Sequence, residues 1–98
     1  MEMKLLKDRV NYLLDLANRA LGSRTTDAGT VPRNRIDGEL FAELRSGSLA
    51  LILGQFGDKH PFYSDFDSQV RSAAPPDAER ARGILRAVKA ELELKDHL

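Results

Sequence analysis

One helical segment constrains this chain more than any other. In residues 38–56, Leu40, Phe41, Leu44, Leu49, Leu51, Ile52, Leu53 and Phe56 are all apolar. At 100° per residue they cover an arc of about 220°, wider than the stripe a surface helix needs. Such a helix has to be covered on two sides. It is expected either at the centre of the domain or against another protein subunit. Ser46, Gly47 and Ser48 interrupt it with poor helix formers. A glycine inside a helix costs about 1 kcal/mol relative to alanine. The notch therefore implies close approach of another helix, or a kink.

The rest of the chain supplies three partners for that helix. In residues 3–21, Leu6, Val10, Leu13, Leu14, Ala17 and Leu21 recur on one helical face, with Leu5 and Leu16 at its edge. Gly22 is placed to cap that helix at its C-terminus. Residues 22–36, GSRTTDAGTVPRNRI, hold no period and read as a long loop. Asp37 is the expected N-cap of the second helix, and Gly57 its end. Pro61 suits the first turn of a short third helix, expected over about 61–72, with Phe62, Phe66 and Val70 along one side. Ala73, Ala74, Pro75 and Pro76 break the pattern, and Asp77 is expected to cap a fourth helix running to about 95. Its stripe is Ala81, Ile84, Leu85, Val88 and Leu92. The expected fold is all-α: one compact four-helix domain over residues 1–98, with the second helix at its centre.

Composition narrows the functional classes. With 98 residues, the chain has room for one domain. Fifteen basic and fifteen acidic residues leave no net charge, so a nucleic-acid partner is not expected. There is no cysteine, hence no disulfide, thiol nucleophile or thiolate metal site. No apolar run approaches a membrane span, and the N-terminal residues lack a signal-peptide core, which points to a cytoplasmic protein.

Chemically able side chains gather in GQFGDKHPFYSDF, residues 54–66. His60 with Asp58 or Asp65 has the donor types of a divalent metal site, yet no HxxxH or HExxH spacing supports one. Each residue also has a structural task. Gly57 and Pro61 punctuate a corner, His60 can cap the third helix, and Phe62 and Phe66 point inward; structure is the expected answer. Ser46, Ser48 and Ser64 have only His60 as a credible base, and there is no nucleophile elbow. No catalytic residue, metal or cofactor is therefore expected. Arg24, Arg33 and Arg35 face one acid, Asp27, in the 22–36 loop, which makes them anion-binding candidates with a nucleotide as a possible ligand. No Walker A sequence accompanies them.

Two stretches, ELFAELRSGSLALILGQFGDKHPFYSDF at 39–66 and ERARGILRAVKAELE at 79–93, carry a resemblance. They resemble a helical segment N-terminal to effector modules of bacterial proteins, including TIR-like predicted nucleotide-binding domains linked to anti-phage defence. The resemblance covers a little over half the chain and assigns it no catalytic residue. It implies an accessory helical segment, either part of a larger protein or a free-standing chain of that type. The expected function is accordingly non-enzymatic: self-association or binding of a partner protein. The interface candidates are Leu49, Leu53, Phe56, Ser46 and Gly47. The alternative is a regulatory module that senses a nucleotide or other anion through the arginine loop.

Overall fold

The computed structural model describes residues 2–23, 25–26 and 34–97. The fold is all-α, with four helices among the described residues: α1 Met3–Gly22, α2 Gly38–Phe56, α3 Pro61–Gln69 and α4 Pro75–Asp96. Between α1 and α2, Thr25–Thr26 (β1) and Asn34–Arg35 (β2) pair antiparallel over two residues, an addition that composition did not signal.

Successive contacts show that neighbouring helices run antiparallel. Lys7 near the start of α1 meets Asp96 at the end of α4 at 2.6 Å, and Asn18 meets Arg82 at 3.1 Å. On the other flank of α1, Tyr12 meets Glu43 of α2. The pairing of α1 with α4 is the most extensive in the molecule, and α1 also lies along α2. α2 meets all three other helices, as does α4, whereas α1 packs chiefly on α4 and α2. Leu6, Val10, Leu13, Leu16, Ala17 and Ala20 of α1 are all buried. Packing on two sides broadens its buried stripe, so Leu16 enters the core instead of marking its edge. Leu5 stays 54% exposed. From the other helices, Phe41, Leu44 and Ile52, then Phe66, then Ala78, Ala81, Leu85, Val88 and Leu92 complete the core.

Local chemistry explains where the helices begin and end. The Asp37 carboxylate accepts from the Leu40 N–H at 2.9 Å, the expected N-cap of α2. Gly57 terminates α2 at φ +86°, a backbone region that disfavours side chains. The Gly22 cap does not form. Gly22 is inside α1, and Ser23 closes it at φ −83°. The Ser23 hydroxyl donates to the Ala20 carbonyl at 2.6 Å and accepts from the Asp37 N–H at 2.9 Å, tying the end of α1 to the start of α2.

Two boundaries differ from expectation. Helix α3 stops at Gln69 because Val70 leaves helical geometry to bury its side chain. Helix α4 starts at Pro75, with Ala74 as N-cap, because Pro75 and Pro76 fill the first turn, where their missing N–H groups leave nothing unbonded. Asp77 is inside the helix. Its carboxylate reaches back to accept from the Arg71 and Ser72 N–H groups at 3.0 and 2.8 Å.

A candidate interaction face on the second helix

The two sides of α2 do different things. Phe41, Leu44, Ser48, Leu51 and Ile52 are buried towards the domain. Glu39, Glu43, Ser46, Ala50, Leu53 and Gly54 are exposed on the opposite side. Glutamates occupy only the first half of that side. From Ser46 to Gly57, SGSLALILGQFG, there is no charged residue at all. An outer helix face ordinarily carries charges along its length, so the last three turns of α2 are unusual.

Beside this face runs an open groove of about 460 Å³ between α1 and α2. Leu5, Leu6 and Arg9 form one wall, and Ala50, Leu51 and Gly54 the other. The exposed face and the groove are continuous through Ala50 and Gly54. Leu53, 47% exposed, flanks them on the far side.

The five interface candidates fall in three places. Ser46 and Leu53 are on the open side. Leu49 and Phe56 are half-buried at its edge and touch the core. Phe56 belongs to a ring cluster with His60 at 4.9 Å and Phe62 at 5.2 Å, and the Lys95 ammonium is 4.6 Å above its ring. Gly47 is in the seam with α1. A Cβ there would be 3.0 Å from Leu13 Cδ2 and 3.1 Å from Arg9 Nη2. The notch therefore admits α1 of the same chain, and Ser48 beside it is fully buried with its hydroxyl unpaired.

The corner at residues 57–67 is built as structure. His60 Nδ1 accepts from the Phe62 N–H at 3.0 Å and caps α3. Ser64 donates to the Pro61 carbonyl at 3.2 Å. Phe66 is fully buried, whereas Phe62 is half-buried in the ring cluster. Asp65 is exposed, and Asp67 pairs with Arg45 at 2.9 Å. Among the described residues, no three His, Asp or Glu side chains converge as metal ligands would. Of the anion-binding candidates, Arg24 and Arg33 lie outside the described residues, and Arg35 is exposed on β2.

Two interactions went unread in the sequence. Arg45 crosses from α2 to the end of α3, donating to the Val70 carbonyl at 2.8 Å and to the Asp67 carboxylate. Its signal was present: a lone charge inside an apolar arc needs a partner. The second is Tyr12, whose ring is beside the Arg9 and Arg19 guanidiniums and whose hydroxyl donates to Glu43. The Glu43 hydrogen bond, with burial and the negative charge of Glu43 adding to it, holds the Tyr12 phenol above its ordinary pKa. Nothing in the spacing pointed to that pair.

No known protein family, curated protein or solved structure matches the chain.

Proposed function

We propose that this chain is a non-enzymatic helical module that associates with itself through the outer face of α2. The supporting observation is the uncharged stretch from Ser46 to Gly57, exposed at Ser46, Ala50, Leu53 and Gly54 and continuous with the α1–α2 groove. Depletion of charge is what distinguishes the buried centre of an interface from ordinary surface. Contiguous exposed apolar surface marks an interaction site more often than a solvated one. Among the described residues, no helix is long and apolar enough to cross a membrane. In the setting implied by the resemblance to bacterial effector segments, the module brings together copies of an attached effector.

The test is absolute mass from light scattering across a hundredfold range of concentration. The wild type is expected as a dimer at the upper end. Leu53→Glu is expected as a folded monomer, because Leu53 is half exposed and its replacement leaves the core intact. A wild-type monomer at every concentration would refute the proposal, as would a Leu53→Glu variant that stays dimeric.

A further inference from the structure

Resting on that self-association reading, we infer a specific geometry: two copies pair α2 against α2 in antiparallel orientation, across a two-fold axis at Ala50. The argument comes from how charge is distributed along the exposed face. Its N-terminal end carries Glu39 and Glu43. Beyond its C-terminal end are exposed Lys59 and the Lys95 ammonium over Phe56, with the acids Asp58 and Asp96 beside them, the second paired with Lys7 at 2.6 Å. The middle, Ser46, Ala50, Leu53 and Gly54, is uncharged. At 1.5 Å per residue, Glu39 lies about 16 Å before Ala50 and Phe56, under the Lys95 ammonium, about 9 Å beyond it, with Lys59 in the turn that follows. An antiparallel pair centred on Ala50 thus sets each acidic end against the partner's basic end. A parallel pair stacks acid on acid and aligns the two helix dipoles, both unfavourable.

The shape of the centre agrees. Ser46, Ala50 and Gly54 recur every four residues on the exposed side. Small side chains let two helix axes approach to about 8 Å. A Cβ at Gly54 would meet no atom of its own chain within 4 Å, so the space above that strip is open. Leu53 then packs beside the strip. Of the other exposed leucines, Leu5, at 54%, lines the groove beside the strip, and Leu94, at 61%, is flanked by Glu93 and Lys95.

The chain lacks cysteine, so single-cysteine variants report the geometry without background. A disulfide needs Cα atoms within about 7 Å. In the antiparallel pair, residue 46 of one copy is level with residue 54 of the other, while identical positions four residues from the axis are about 12 Å apart. Ala50→Cys should therefore cross-link on oxidation. Ser46→Cys and Gly54→Cys should each fail alone and cross-link when mixed. A charge exchange provides a second, reversible test. Glu39→Lys should weaken the dimer about fivefold through its two symmetric pairs, and adding Lys59→Glu to the same chain should restore it. Efficient cross-linking of Ser46→Cys with itself would overturn the antiparallel geometry and leave self-association standing. A dimeric mass with no cross-link at any of the three positions would overturn the choice of face. A monomeric wild type would remove the reading on which the geometry rests.

Discussion

The seam between α1 and α2 makes a prediction in which one chemical change has opposite effects at two glycines. Gly83 is an exposed interior residue of α4, and a Cβ built there meets nothing within 4 Å. Gly83→Ala should gain nearly the full helix-propensity difference, about 1 kcal/mol. For a domain of this size, that raises Tm by about 4–8 °C. Gly47→Ala has the same propensity gain but places its methyl 3.0 Å from Leu13 Cδ2 and 3.1 Å from Arg9 Nη2. Arg9 is exposed and can swing away. Leu13 is fully buried in the α1 core and has nowhere to go. Overpacking a core costs about 1–3 kcal/mol, so the net result is a loss of about 1 kcal/mol and a lower Tm. Thermal unfolding followed by circular dichroism reads both variants, and urea titration separates a change in midpoint from a change in slope. Leu13→Val adds the decisive coupling. It should cost less in the Gly47→Ala background than in the wild type, because it removes the colliding carbon. A Gly47→Ala protein stabilised as much as Gly83→Ala, with no coupling to Leu13, would refute the close approach of α1 to α2.

Three further outcomes test separate parts of the structure. Ser48→Ala should stabilise the fold by about 1–2 kcal/mol, because a buried hydroxyl without a partner is removed and the helix gains a better former; a lower urea midpoint would show that the hydroxyl is bonded. Arg45→Ala should cost about 2–3 kcal/mol, since it leaves the carbonyl of buried Val70 without the guanidinium, and hydrogen exchange should accelerate first in α3; uniform exchange would refute a local clamp. The raised pKa of Tyr12 means that its contribution is complete below the ordinary tyrosine value and is lost as pH rises through the higher folded value. In a Tyr63→Phe background, Glu43→Gln should lower the midpoint of phenolate absorbance, and an unmoved midpoint would remove Glu43 as the cause.

The parts of the fold readable from the chain are those decided by short-range chemistry. Asp37 caps α2, Gly57 ends it at positive φ, and His60 and Pro61 start α3, because each needs only neighbours within one turn. Where the decision is tertiary, local reading goes astray. The Pro75–Pro76 pair reads as a break, yet it opens α4, because the turn before it is held by the Asp77 carboxylate from inside the helix. Val70 continues the spacing of Phe62 and Phe66, yet it leaves the helix once Arg45 holds its carbonyl. The extent of the α1–α4 pairing was hidden for a similar reason, because α1 buries Ala17 and Ala20 as well as its larger side chains, and residues that small admit close neighbours.

The same comparison sharpens the meaning of the wide arc on α2. Its breadth followed from adding two surfaces that the pattern of apolar residues does not separate. Leu44, Leu51 and Ile52 face the domain, whereas Ala50, Leu53 and Gly54 face outward. Charge separates them better than hydropathy does. Arg45, the one charge in the C-terminal two-thirds of the helix, is turned to α3 and fixed by Asp67 and Val70. Beyond Glu43 the outer face is thereby left without a charge, although an ion there would add solubility at no cost to packing. Core packing accounts for the apolar residues on the inner side and has no bearing on the outer one. The proposed self-association rests on this omission of charge where the fold would tolerate it. The proposed contact with a second copy would supply the constraint behind it.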